Sequence, residues 1–338
     1  MRYAIFGAGA MGTVLGAHIA RAGETVDLFT RNAEHVAAMR EHGAQITGMS
    51  PFVQRVNAFT PEEMQGSYDV IILMTKQRHN AEIVKELLPH LAEDGALCTC
   101  QNGLPEPEIA KIIGAERTLG CAVAWGATYL RPGVCELTSD PEALTFSLGA
   151  YGKGNRLEET KSLLEKMGTV RVESDLMGAR WAKLLINSAF SGLSALTGAT
   201  FGEIARNKSS RRIAQCILQE GIEVARASKV QIAPLQGHRI DKLLGYRGRL
   251  GRARSFLLIP IAMKKHARLI SGMLRDIRRG VPCEIDFING AVVKWAERCG
   301  FFAPFNARTV QLVRAVEAGQ YPLSMENIKL FEDLLRRD

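Results

Sequence analysis

RYAIFGAGAMG, residues 2–12, runs a short apolar β-rich stretch into three glycines and then into a helix. The order of these parts carries the reading. Gly7 at the strand end permits a tight turn, Gly9 removes the Cβ that would hold a pyrophosphate off the backbone, and Gly12 lets helix and strand pack closely. The helix that opens there presents N–H groups with no acceptor inside the helix, together with a partial positive charge suited to phosphate. Strand, glycine turn and helix in this sequence predict the first unit of a dinucleotide-binding domain. Gly7, Ala8, Gly9, Ala10, Met11 and Gly12 form its phosphate loop.

Outward from this loop, β-rich runs alternate with helical stretches. Strands are expected at 2–6, 25–29, 69–74, 96–100 and 118–123, with helices at 11–22, 33–42, 80–91 and 106–113 between them. This alternation builds a parallel sheet covered on both faces. Residues 134–149 look like a hairpin or edge strands, followed by a helix at 157–167 and a last strand near 170–172. Beyond Ser174 and Asp175 the pattern becomes helical, with helices expected at 177–196, 210–228, 260–279, 285–298, 306–318 and 325–335. The expected fold class is an α/β Rossmann-type N-terminal domain, residues 1–175, followed by an all-α C-terminal domain, residues 176–338.

The tip of the second strand selects the dinucleotide. NAD-binding domains place an acid there for the ribose hydroxyls. This chain instead reads Phe29, Thr30, Arg31, Asn32, and the fork of Arg31 suits a 2′-phosphate, so NADP(H) is expected. Asp27, the rival acid, lies inside the strand. Lys76 and Asn102 follow two further strands, on the side where such sheets hold ligands. Asn102 with Gly103 also reads as a simple turn pair.

Composition narrows the class. The 338 residues are enough for two ordinary domains, and 46% hydrophobic with 23% charged residues is the balance of a soluble globular chain. No run reaches the ~18 apolar residues of a membrane span. The N-terminal apolar run is broken by glycine too early for a signal peptide and is read as mature structure. Seven cysteines without a C-x-x-C pair indicate neither a disulfide framework nor zinc, and the seven histidines show no ligand spacing, so no metal and a reducing cytoplasm are expected. The net charge of +8 is concentrated late, with Arg247, Arg249, Arg252 and Arg254 in one stretch. No aromatic platform or nucleic-acid motif accompanies them, which favours a solvated helical face over a nucleic-acid site.

Within RWAKLLINSAFSG, residues 180–192, Lys183, Asn187 and Ser191 stand at successive steps of four on an otherwise apolar helix. A Lys there either snorkels to water or has anionic company such as a substrate carboxylate or a nearby Glu. Glu284, after Pro282 at a helix start, reads on its own as a favourable helix-dipole acid that needs no substrate.

With SGMLRDIRRGVPCEIDFINGAVV, residues 271–293, the chain resembles the ketopantoate reductase (2-dehydropantoate 2-reductase) family. The resemblance rests on ordered matches: Gly7, Gly9 and Gly12; Arg31; Lys76; Asn102 and Gly103; Lys183 and Asn187; then Ser271, Met273, Asp276, Glu284, Asp286 and Gly290. It implies NADPH-dependent reduction of a 2-oxo acid to a 2-hydroxy acid, with Lys183 as general acid and Glu284 accepting the substrate's remote hydroxyl while balancing the lysine. Asn187 and Asn102 orient substrate and nicotinamide, Gly126 lines the nicotinamide pocket, and Ser191 and Ser271 complete the substrate shell. A homodimer is implied as well. Asp276 and Asp286 are expected to be structural, paired with arginines. The match departs from the family pattern at Ser191, where a second Asn is usual, and at Leu269 and Gly272, ahead of and beside Ser271. These departures raise a second expectation, the same scaffold acting on a different 2-oxo acid. A non-enzymatic NADP-sensing module is the alternative from another class. Residues 236–266 are extra sequence, read as lengthened helices, a flap or an oligomer contact.

Overall fold

The computed structural model describes residues 1–235 and 237–337. The chain divides into two compact units, Met1–Gln101 with Pro105–Leu176, and Asn102–Leu104 with Met177–Asp338.

The first unit is an eight-stranded sheet with helices on both faces. In chain order the elements of the first unit are β1 (Tyr3–Phe6), α1 (Ala10–Arg21), β2 (Val26–Phe29), α2 (Ala33–His42), β3 (Ala44–Gly48), β4 (Phe52–Gln54), β5 (Asn57–Phe59), β6 (Tyr68–Leu73), α3 (Asn80–Leu87), β7 (Leu91–Thr99), α4 (Glu106–Ile113), β8 (Thr118–Val123), β9 (Ala127–Arg131), β10 (Val134–Leu137), β11 (Thr145–Ala150), α5 (Leu157–Leu164) and β12 (Thr169–Glu173). The main sheet runs β12-β11-β8-β7-β6-β1-β2-β5. Every neighbouring pair is parallel except β8 with β11. The central strands β1 and β6 are apolar almost throughout, because helices cover both of their faces. Residues of α1, α2 and α5 pack on one face, and Ile83, Val84, Leu87, Ile109 and Ile113 of α3 and α4 pack on the other. The order reverses at β1, flanked by β2 and β6, so the ligand crevice of such a sheet falls at the carboxyl ends of β1 and β6.

A second, four-stranded sheet, β4-β3-β10-β9, lies against α1 and sandwiches it. This corrects the expectation for residues 134–149. β10 pairs with β9 in the small sheet, whereas β11 pairs antiparallel with β8 in the large one. Both strands bury alternate apolar residues, and a period of two does not say against which sheet. The helix expected to reach Leu91 ends at Leu87, because Pro89 forces a 3₁₀ turn over Leu88–His90 and β7 starts at once.

The second unit is helical: α6 (Leu176–Ile186), α7 (Gly192–Thr197), α8 (Phe201–Arg206), α9 (Lys208–Ala227), α10 (Ile240–Leu243), α11 (Gly248–Ala262), α12 (Gly272–Arg278), α13 (Ile285–Arg298), α14 (Pro304–Glu317) and α15 (Glu332–Arg337). α9 is its axis, burying Ile213, Ile217, Leu218, Ile222 and Val224 among the surrounding helices. The single helix expected over 260–279 is two. Pro260 sits in the last turns of α11, and Ser271 caps a new start at α12. The extra segment becomes α10 and α11, with Gln236 outside the described residues. α8 went unread in the sequence, although Thr200 and Glu203 form a capping box that marks it. Among the described residues no helix is long and apolar enough to cross a membrane.

Candidate functional site

The glycine loop is built by exclusion of side chains. Gly7 has φ +103°, and a Cβ on it would lie 2.5 Å from the Thr75 nitrogen. A Cβ on Gly12 would lie 2.5 Å from the Gly7 carbonyl oxygen, so α1 crosses the end of β1 at backbone distance. Gly7 and Ala8 donate their N–H groups to the Phe29 carbonyl at 2.9 and 2.8 Å, which pins the turn to the end of β2. The first intrahelical bond of α1 runs from Thr13 N–H to Gly9 C=O at 3.0 Å, so the N–H groups of Ala10, Met11 and Gly12 have no acceptor within the helix. A Cβ on Gly9 would meet nothing within 4 Å. Open space before three helix N–H donors fits a pyrophosphate.

The tip of β2 separates Arg31 from Asp27. Arg31 is exposed, its guanidinium 3.8 Å from the Glu86 carboxylate. Asp27 accepts hydrogen bonds from the Tyr68 hydroxyl at 2.8 Å and the Asn57 amide at 3.0 Å, with Arg2 3.5 Å away. Its carboxylate is committed to holding β1, β2, β5 and β6 together. Burial, then the Asp27 carboxylate, raises the Tyr68 phenol well above its ordinary range.

Lys76 is exposed in the loop after β6. Beneath that loop lies a buried amide pair that sequence reasoning passed over. Gln101 Nε2 donates to Asn80 Oδ1 at 2.7 Å and to the Thr75 carbonyl at 2.8 Å. Gln101 Oε1 in turn accepts from Asn80 Nδ2 and from the Thr99 hydroxyl, both at 2.9 Å. The pair ties Thr75, whose backbone bounds Gly7, to the end of β7 and the start of α3. A polar residue directly before Asn102 was its only sequence signal. Gly126 follows Trp125 between β8 and β9. Its N–H donates to the Ser139 hydroxyl at 2.9 Å, and a Cβ there would stand 3.0 Å from the Thr138 hydroxyl.

In the second unit the lysine helix departs from the expected continuous α-helix over 177–196. α6 gives way to a π turn over Asn187–Ser191 before α7 resumes. A π turn closes i to i+5, so steps of four no longer stack across it. Ser191 is accordingly buried at 9% exposure, while Lys183 and Asn187 share a partly exposed stripe with Ile186. Their neighbours Trp181, Ala182, Leu184, Leu185, Ser188, Ala189 and Phe190 are all buried. The wide turn releases a carbonyl, and α13 satisfies it: Asn289 Nδ2 donates to the Ser188 oxygen at 3.0 Å. Gly192 makes room, since a Cβ there would lie 2.6 Å from Asn289 Oδ1. Asn289 also donates to Asn306 Oδ1 at 3.0 Å, and Asn306 donates to Glu220 at 2.8 Å. Glu220 further accepts the Phe305 and Asn306 N–H groups at the start of α14, at 2.8 and 2.9 Å. Burial pushes its carboxyl up to about 7 against the pull of these donors.

Glu284 is the partly exposed N-cap residue of α13, the helix that packs on the π turn. Asp286, in the first turn of α13, pairs with Arg314 at 2.6 Å. Ser271 is 3% exposed, and its hydroxyl oxygen accepts the Leu274 N–H at 2.9 Å as the cap of α12. The structure thus gives Ser271 a helix-start task in addition to the substrate contact expected of it.

The strand order, the switch at β1 and the glycine cradle define a Rossmann-type dinucleotide-binding protein. A family profile described as ketopantoate reductase PanE/ApbA matches residues 3–150, and its C-terminal companion matches residues 175–317. The chain belongs to the ketopantoate reductase family and is an oxidoreductase of that type. A 2-dehydropantoate 2-reductase of Pyrococcus horikoshii is 28% identical, over 94% of this chain and 98% of its own length. A 2-dehydropantoate 2-reductase structure from Geobacter metallireducens superposes with a TM-score of 0.78 at 26% identity, covering 93% of this chain and 99% of its own. D-mandelate dehydrogenase, solved with NADH and anilino(oxo)acetate, shares the fold with a TM-score of 0.80 at 21% identity, over 94% of this chain and 99% of its own. Membership of an enzyme family removes the non-enzymatic sensing alternative.

Proposed function

We propose that the protein reduces 2-dehydropantoate (ketopantoate) to (R)-pantoate with NADPH, a step of pantothenate biosynthesis. The observation that carries this reading is the partly exposed stripe of Lys183 with Asn187 on a helix that is otherwise almost wholly buried. Arg31 supports NADPH over NADH, since the nearby acid Asp27 is already engaged by Tyr68 and Asn57.

Bound NADPH supplies the hydride that reduces the ketone carbon. The N–H groups at the start of α1 hold the pyrophosphate, and Arg31 and Lys76 add positive charge for the remaining phosphate. As charge gathers on the ketone oxygen, Lys183 Nζ donates the proton that neutralises it. Asn187 and Asn102 orient substrate and nicotinamide by amide hydrogen bonds, with Gly126 leaving room beside the ring. Glu284 accepts the remote hydroxyl of the substrate and offsets the charge of Lys183. Ser191 and Ser271 line the remainder of the substrate shell. The unit is a homodimer in this reading, and light scattering that returns a single chain mass would contradict it.

The test is steady-state NADPH oxidation with ketopantoate. Lys183→Ala should lower kcat by roughly 10²- to 10⁴-fold with the fold intact; unchanged turnover would end the assignment. A second reading, reduction of another 2-oxo acid, is favoured by Leu269, exposed at 46%, and by Gly272, around which a side chain would meet nothing within 4 Å. A panel of 2-oxo acids decides between them. Fast turnover of another acid beside negligible use of ketopantoate selects the second.

A further inference from the structure

His35 has no part in the chemistry above, yet it is only 1% exposed and fully engaged. It sits on α2, and its Nδ1 lies 2.8 Å from the backbone N–H of Gly133, in the turn between β9 and β10. An N–H offers only a hydrogen, so Nδ1 accepts and the ring proton resides on Nε2. Nε2 lies 2.9 Å from the Thr13 hydroxyl oxygen, and that hydroxyl donates in turn to the Ala8 carbonyl at 3.2 Å. The result is a directed chain from Gly133 through His35 and Thr13 to the peptide between Ala8 and Gly9. Thr13 and Ala8 are fully buried, and the Thr13 hydroxyl also meets the buried Cys135 thiol of β10, a second tie from the small sheet to the same group. Burial lowers the imidazole to about 4, which keeps it neutral and preserves the acceptor at Nδ1. The ring also meets Tyr129 edge-on at 5.1 Å, and the Tyr129 hydroxyl accepts from Asn32, the residue after Arg31.

A neutral apolar residue would pack in this place. A fully satisfied polar chain instead specifies direction, and here it specifies which way one peptide faces. With the Ala8 oxygen held by the Thr13 hydroxyl, the dipole of that carbonyl is kept from opposing a phosphate at the start of α1. We propose that His35 is a positioning residue for the dinucleotide: acting through Thr13, it holds the Ala8–Gly9 peptide in the orientation that admits the pyrophosphate. The Gly133 turn of the small sheet is part of the same device, which gives the second sheet a task in cofactor binding. This inference rests on the glycine loop being the NADPH site.

The test is a double-variant cycle on the full chain, read by fluorescence titration with NADPH. Thr13→Val keeps the shape and removes the hydroxyl; His35→Phe keeps a ring and removes both nitrogens. Each should raise the NADPH Kd and KM about tenfold, a loss of roughly 1.4 kcal/mol. kcat at saturating cofactor and KM for the 2-oxo acid should stay within about twofold, because neither residue touches the reacting atoms. The combined variant should bind no worse than the weaker single one, since both break one chain. Variants that melt earlier but bind NADPH as wild type does would overturn the proposal, as would losses that simply add. If His35→Phe fails to fold, Thr13→Val decides alone. A wild-type protein that binds only NADH would instead defeat the NADPH reading, and the same cycle would then be read with NADH.

Discussion

A methyl group on Gly12 would stand 2.5 Å from a backbone oxygen, which cannot swing aside as a side chain could. Gly12→Ala should therefore push α1 off β1, costing about 1–3 kcal/mol in urea unfolding and weakening dinucleotide binding in parallel. Arg31 carries a constraint of another kind: it is exposed, so its loss should leave stability unchanged. Arg31→Ala should raise KM for NADPH about 30-fold, the equivalent of roughly 2 kcal/mol for a charged hydrogen bond, and leave KM for NADH nearly unaltered. Equal effects on both cofactors would remove the 2′-phosphate from its role. Residues of these two kinds were legible in the chain because their chemistry is local. A glycine is required by its immediate neighbours, and an arginine at a strand tip is placed by the strand. Gln101, Asn80 and His35 were not legible, because each is defined by a partner from a distant segment: Thr75, Gln101 and Gly133 respectively.

Among the elements, the π turn over Asn187–Ser191 is the one that local pattern could not show. Apolar periodicity is satisfied by α6 and α7 on either side, and the extra residue is stabilised by Asn289, about a hundred positions later. Asn289→Ala should leave the Ser188 carbonyl without its donor, at a cost of about 1–3 kcal/mol, and lower kcat by shifting Asn187 relative to Lys183. The same network makes a pH prediction. Glu220 has a folded-state value near 7, above the 4.5 of the unfolded chain. Below that lower value both states are protonated. Between the two the unfolded state ionises first, so the contribution of Glu220 declines as pH rises and levels off above about 7. Urea denaturation at a series of pH values should show wild type losing ground against Glu220→Gln across this window; parallel profiles would contradict it. The βα steps of the first unit were readable, since each announces itself in a dozen residues, but the short strands β3, β4, β5 and β9 were passed over. The division of β10 and β11 between two sheets was not, because pairing partners leave no trace in a strand's own period.

Taken whole, the molecule has two units, each with its own apolar core. A ligand that binds only the native state adds RT ln(1 + [L]/Kd), about 2.7 kcal/mol at a hundredfold excess over Kd. Thermal denaturation should therefore move upward with NADPH more than with equal NADH, and ketopantoate should add to the NADPH shift. A larger shift with NADH would reverse the cofactor assignment.

The amino-acid order alone determined the dinucleotide loop, the βα alternation, the change to helix near residue 175 and the family, because each is written in contiguous residues or in ordered motifs. Tertiary structure alone decided that Asp27 is engaged, that the lysine helix contains a π turn, and that a small second sheet steadies the glycine loop. Hydrogen bonds between segments far apart in the chain settle those matters, and a bond has no partner until the chain has folded.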